Sequence, residues 1–261
     1  MSDIITTIDA GVLQVVMNRP AAMNSLSPSM IEEMQRVLED AALDASIGCI
    51  VIRGAGSRAF SAGGDVKAMG SADPNNIERN IINLRREMRL PELLHEIGKP
   101  TIAMVNGVAA GAGFSLALAA DFRFVSQSAR MTTAFAKVAY SGDFGLHYFL
   151  HRLVGTAKAR ELYFTAAMLS SEDIDKLGLA TRIYADESLE AETMSFAKML
   201  ADGPRVAWQY AKMSMKAAEE GSLSQALDME AFCMSRTGCT EEHKEGVRAF
   251  VEKRPPRFGG I

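Results

Sequence analysis

The chain has 261 residues, 48% hydrophobic and 23% charged, a composition of folded globular proteins that excludes disordered and fibrous classes. Its 28 basic and 32 acidic residues leave a formal net charge of −4, without the basic excess of a dedicated nucleic-acid binder. Three cysteines, Cys49, Cys233 and Cys239, fit neither a disulfide framework nor a CxxC metal pair, which predicts a reducing compartment.

The N-terminus opens with an acid and alternates apolar with polar residues, unlike the basic start and continuous apolar core of a signal peptide. β-Branched runs predict strands at Ile4 to Ile8, Val12 to Met17 and Cys49 to Arg53, the first two joined by the turn sequence Asp9-Ala10-Gly11. Between the second and third, Ser27 and Pro28 supply an N-cap and a first-turn proline. They open a helix whose apolar residues Met30, Ile31, Met34, Val37 and Leu38 recur at helical spacing. Residues 66 to 90 combine Gly70, Asp73-Pro74-Asn75-Asn76 and Arg85, Arg86 and Arg89, and read as a mobile segment leading into a surface helix.

A second unit follows: a strand Thr101 to Val105, a glycine-rich turn, a helix of small residues to about Ala120, and a strand Phe122 to Val125. The longest apolar stretch, around 107 to 120, is broken by Gly107, Gly111, Gly113 and Ser115. It falls short of the roughly 18 to 20 residues of a membrane span, so a cytoplasmic protein is expected. After Ala185 the pattern turns wholly helical: Ser188 to Ala201, Pro204 to Glu220, a third helix opened by the capping box Ser222-x-x-Gln225, and Glu241 to Lys253. The shift divides the chain into a core, residues 1–187, and a helical region, 188–261. Its methionines predict core packing plus a subunit contact.

HExxH, paired CxxC and GxxxxGK[ST] signatures are absent, and the run from Gly107 to Gly113 has GxxxGxG spacing, not the dinucleotide GxGxxG. Around Ser115 the final glycine of a GxSxG nucleophile elbow is missing. His147 and His151 share a helical i, i+4 spacing that more commonly marks one amphipathic face than a metal site. What remains is a repeated strand-then-glycine pattern, Phe60 to Asp65 and Asn106 to Gly113. Each leaves backbone N–H groups unpaired where a helix begins, and two such donors converging would make an oxyanion hole.

At these residues the sequence resembles the crotonase, or enoyl-CoA hydratase/isomerase, superfamily, through Asn18-Arg19-Pro20, Asn24-Ser25-Leu26, Gly54-Ala55-Gly56, Phe60 to Asp65 and Lys99 to Asp121. Further matching segments are Leu153-Val154-Gly155, Ser170 to Leu179 and Glu245 to Lys253. The resemblance implies an α/β fold: a spiral of β-β-α units followed by C-terminal helices that pack against neighbours in a homotrimer or a dimer of trimers. It also implies an acyl-CoA thioester whose carbonyl is held by the N–H groups of Ala62 and Ala112. Coenzyme A is then part of the substrate, and no separate cofactor or metal is expected. For the CoA portion the resemblance points to Met23, Ala62, Asp65 and Val66 near the adenine, with Phe250 and Lys253, of this or a neighbouring subunit, near the phosphates.

Hydratases of that family carry two glutamates, at positions aligned with Ser115 and Phe135, neither of which moves a proton here. Losing general acid/base help of about 100- to 10,000-fold disfavours an ordinary hydratase. The nearest acid is Asp143, in Tyr140-Ser-Gly-Asp-Phe-Gly145. It is read either as the N-cap of the helix from Leu146 to Leu153 or as a carboxylate facing the acyl pocket. The region resembles the ring-epoxide isomerase branch of the family, which also lacks both glutamates and uses an aspartate here. Phe135, Val138, Tyr140 and Phe144 would desolvate Asp143 and raise its pKa, and His147 would bond to it or tune it. The leading expectation is an acyl-CoA isomerase, shifting a double bond or opening a ring epoxide. The alternatives are a hydratase or hydrolase in which Asp143 positions water, and a catalytically poor acyl-CoA-binding subunit.

Overall fold

The computed structural model describes residues 2–65 and 75–258. Among the described residues, nine strands form two sheets. In the larger, β1 (Ile4–Asp9) pairs antiparallel with β2 (Val12–Met17) through the expected hairpin. Then β2, β3 (Cys49–Gly54), β5 (Thr101–Val105), β7 (Phe122–Ser126) and β9 (Arg182–Tyr184) run parallel. The smaller sheet joins three parallel strands of three residues each, β4 (Ala59–Ser61), β6 (Val108–Ala110) and β8 (Arg130–Thr132).

The central strands β3 and β5 are buried at nearly every position because both faces are covered, whereas the edge strand β1 is exposed beyond Ile4. Ile50 and Ile52, Ala103 and Val105 face one core, while their alternate neighbours Cys49 and Val51, Ile102 and Met104 face another. On the first side lies α1 (Pro28–Leu43), burying Met30, Ile31, Met34, Leu38 and Ala41; Ser27 Oγ accepts from Met30 N at 3.2 Å, the predicted cap. Next come α2 (Ile77–Glu87), a surface helix with no buried residue, and α3 (Arg89–Glu96), which buries Leu90, Pro91 and Leu94. The helix α4 (Ala112–Ala119) is apolar all round and wholly buried, as a helix enclosed between the two sheets must be. Three helices follow β8: α5 (Leu146–Val154), α6 (Thr156–Thr165) and α7 (Ser171–Lys176).

The second core is closed by α8 (Leu189–Ala201) through Leu189, Ala197, Leu200 and Ala201. A cut at 187/188 would strip that cover from the sheet. Three further helices follow among the described residues, α9 (Arg205–Glu220), α10 (Leu223–Thr237) with its Ser222/Gln225 capping box, and α11 (Glu241–Glu252). Among the described residues, no helix is long and apolar enough to cross a membrane.

Local signals predicted the hairpin, five of the six strands of the large sheet and most helices to within a residue or two; β9 carried no such signal. The small sheet escaped them. Residues 108–110 read as part of a glycine turn because three residues are too few to show a period, and their strand conformation comes from pairing with β4 and β8.

Candidate active site

Two side-chain amides hold the frame of the first glycine turn. Asn24 Nδ2 donates to Ala55 O at 3.0 Å and Ala59 O at 2.7 Å, and its Oδ1 accepts from Arg19 N at 3.1 Å. Asn106 Oδ1 accepts from Gly54 N at 3.1 Å, and its Nδ2 donates to Gly54 O at 2.9 Å. The Asn24 and Gly54 motifs are therefore scaffolding. Arg19 reaches across to Asp65, Nη2 to Oδ2 at 2.8 Å, and closes the turn from the other side.

The two glycine turns lie in backbone contact. A Cβ on Gly113 would collide with Ser61 O, and one on Gly63 would stand 2.7 Å from Ala110 O and 3.4 Å from Ala112 N. No residue larger than glycine fits at either place, and Gly63 also holds φ +96°. At Gly111, φ +53°, the ring of Phe135 lies 3.7 Å from where a Cβ would be, so this aromatic packs on the second turn.

The hydrogen bonds decide which N–H groups remain available. Ala62 N, expected as a donor to substrate, donates to Met23 O at 2.9 Å, Gly63 N to Ser61 Oγ at 3.2 Å and Asp65 N to Leu26 O at 3.0 Å. Gly64 N is left without a partner among the described residues, as is Ala112 N at the first position of α4. The free donor of the first turn is thus Gly64, two residues beyond the expected one. The turn was legible, but Met23 in the left-handed conformation, φ 53°, turns its carbonyl to Ala62.

The loop carrying Asp143 follows a short turn of helix, Phe135–Val138. Positive φ occurs at Ala134, Ala139, Gly142, Phe144 and Gly145. Side chains from two helices hold it: His147 Nε2 donates to Ser141 O at 2.7 Å, and the Tyr163 hydroxyl to Tyr140 O at 2.7 Å. The His147 and Tyr163 rings pack 5.4 Å apart. His147 was expected to bond to or tune Asp143; its ring is instead engaged by the loop backbone.

Asp143 does not cap α5 with its side chain. The N-cap is Gly145, and it is the Asp143 carbonyl that accepts from Leu146 N at 3.0 Å. Its Oδ1 is buried with no hydrogen-bond partner among the described residues. Burial beside Phe144, and secondarily the negative charge of Glu87, raise its pKa from 3.8 to about 6. Glu87 ends α2, and its own carboxyl is held above the usual range by burial. This second carboxylate carried no sequence signal.

Ser115 is fully buried and its Oγ donates to Gly111 O at 3.2 Å within its own helix. His151 Nδ1 is engaged with His147 O at 2.6 Å, and no cluster of metal-ligating side chains occurs among the described residues. Val138 and Tyr140, expected to wall off Asp143, are exposed, and Tyr140 meets Tyr163 through its carbonyl. Phe250 and Lys253 lie at the end of α11, where Phe250 is 86% exposed. Within one chain no described hydrogen bond or ring contact joins them to the glycine turns. Val66 lies outside the described residues.

The sequence matches the enoyl-CoA hydratase/isomerase family over residues 7–260. It is 32% identical to the 1,2-epoxyphenylacetyl-CoA isomerase of Escherichia coli, covering 100% of this chain and 99% of that one. It is 35% identical to a probable enoyl-CoA hydratase of Rhodobacter capsulatus, over 97% and 96%. Among solved structures it is similar to an enoyl-CoA hydratase from Bacillus anthracis, with a TM-score of 0.93, 29% identity and 100% of both chains covered.

Proposed function

The chain belongs to the enoyl-CoA hydratase/isomerase family and is an enzyme of it, and from that premise we propose that it is an acyl-CoA isomerase whose base is Asp143. The observation that carries this reading is the buried, unpartnered Asp143 Oδ1, with its pKa near 6, in a site where Ser115 and Phe135 supply no proton. A carboxylate so placed is ionised at neutral pH yet close enough to its pKa to be a good proton carrier.

In this reading the thioester carbonyl accepts from the N–H groups of Gly64 and Ala112. Each donor is worth about 3 to 4 kcal/mol to the enolate that forms, because it is fixed in place before charge develops. Asp143 takes a proton from the α-carbon of a 3-enoyl thioester, and protonation at the γ-carbon leaves the conjugated 2-enoyl product. Opening a ring epoxide next to the thioester uses the same enolate, and the E. coli relative's name supports that substrate class. Relatives named as hydratases are equally similar, so the choice rests on the site and not on identity.

Phe135 and Phe144 wall the acyl side, and Met23 and Asp65 flank the first glycine turn on the CoA side. Phe250 and Lys253 are assigned to a neighbouring subunit's CoA phosphates in a homotrimer or dimer of trimers. Leu223, Met234, Phe250 and Val251 are each more than 70% exposed in one chain, which supports such an assembly, and sedimentation measures it.

The test is product analysis with 3-enoyl, 2-enoyl and ring-epoxide CoA thioesters. Conversion of the 3-enoyl ester or the epoxide without net water addition is the expected outcome. Hydration of the 2-enoyl ester as the faster reaction would favour a hydratase, and release of free CoA a hydrolase.

A further inference from the structure

Asp143 Oδ1 is buried without a hydrogen-bond partner among the described residues, so no bond of its own aims it. Its direction must come from the backbone that carries it. Three hydrogen bonds hold that backbone: the Tyr163 hydroxyl donates to Tyr140 O at 2.7 Å, His147 Nε2 to Ser141 O at 2.7 Å and Leu146 N to Asp143 O at 3.0 Å. The last closes the start of α5 within the backbone. The other two come from side chains, and that of His147 lands nearer to Asp143 along the chain.

His147 is matched to the loop by fit as well as by bond. A Cβ on Gly142 would stand 3.0 Å from His147 Nε2, so the imidazole rests on the residue just before Asp143. Gly142 also holds φ +101°, which side chains rarely adopt. A carbonyl oxygen only accepts, so it is Nε2 that carries the hydrogen of the ring toward Ser141. Tyr163 packs on the same ring, centroids 5.4 Å apart. His147 is exposed, so the hydrophobic core does not depend on its side chain.

We propose that His147 is the positioning residue of the base: its Nε2–H, seated against Gly142 and bonded to Ser141 O, fixes the direction in which Asp143 presents its carboxylate. The inference rests on the isomerase reading and deepens it. His147 touches no reacting atom and moves no proton. The indirect hold has a chemical advantage. A donor bonded straight to the carboxylate would favour its charged form and weaken it as a base. A donor bonded to the neighbouring peptide aims the carboxylate and leaves Oδ1 free for the proton it carries.

Glutamine offers an N–H at the reach of Nε2, whereas leucine fills similar space and donates nothing. The experiment compares His147→Gln and His147→Leu with the wild type in turnover of a 3-enoyl-CoA thioester across pH, beside NMR titration of the carbon-13-labelled Asp143 carboxyl. His147→Leu is expected to lower kcat about 10- to 100-fold, with KM and melting temperature little changed. A loosened loop admits water to the carboxyl, so its titration and the half-maximum of kcat both move below about pH 6, toward 3.8. Tyr163, His151 and Glu87, the other titratable groups acting on the loop or on His147, are the same in both variants. His147→Gln is expected to restore kcat to within several-fold and the midpoint to near 6. A leucine variant with wild-type kcat and midpoint overturns the proposal, as does a glutamine variant no better than leucine. A raised KM at unchanged kcat overturns it too, because His147 would then act on substrate binding. Wild-type protein that leaves both 3-enoyl and epoxide thioesters unchanged overturns the isomerase reading, and the NMR midpoints still decide whether His147 holds Asp143.

Discussion

The wall made by the two glycine turns and the loop that bears Asp143 are held in place by different physics. In the wall, backbone lies directly against backbone, Gly63 against Ala110 and Gly113 against Ser61, so position is fixed by steric exclusion. The loop has several residues at positive φ and is fixed by hydrogen bonds from His147 and Tyr163 to its carbonyls. The wall offers donors that are free because the backbone leaves them so. The loop offers a carboxylate kept free in a place that disfavours its charge. A site that stabilises an enolate and also moves protons needs both: rigid dipoles on one side, and a desolvated, titratable group on the other.

The largest expected effect separates the two. Asp143→Asn removes the base while leaving the wall intact, and isomerase turnover is expected to fall by about 100- to 10,000-fold with thioester binding retained. Kinetics beside equilibrium binding of a substrate analogue checks this. Ala112→Pro attacks the wall instead, deleting one donor at a first helical position, where proline is tolerated. A loss of about 100- to 1,000-fold in kcat is expected, with the melting temperature little changed.

The electrostatic cost of the loop gives the next prediction. The carboxyl of Asp143 titrates higher in the fold than when unfolded, so its contribution to stability is complete below about pH 4 and is lost as pH rises through about 6. The rise from 3.8 to about 6 corresponds to at most about 3 kcal/mol. Asp143→Asn is therefore expected to be more stable than wild type above pH 6, with the gain vanishing below pH 4, as denaturant melts across that range would show. The same titration makes wild-type kcat rise with pH to a plateau, half-maximal near pH 6. The smallest effect is expected from the loop's supports. Tyr163→Phe removes one hydrogen bond, worth about 0.5–1.5 kcal/mol of stability, and should lower kcat several-fold with KM nearly unchanged.

Legibility in the sequence follows the same division. The hairpin, the Ser27 cap, the buried strands and the small-residue helix are written in neighbouring residues, and the glycine turns announce close backbone approach. The sequence does not say which N–H of a turn is free, because the Ala62 donor is taken by Met23, far along the chain. The hydrogen bond from His147 to Ser141, and not to Asp143, depends on the loop's positive φ values at Gly142 and Phe144.

The most direct measurement of the central claim is turnover of a 3-enoyl-CoA thioester by Asp143→Asn beside the wild type, at pH 8, where the wild-type carboxylate is ionised. The predicted result is conversion to the 2-enoyl ester by the wild type and its loss in a variant that is at least as stable. Undiminished conversion by the folded variant would contradict the account, because the buried carboxylate would then carry no proton in the reaction.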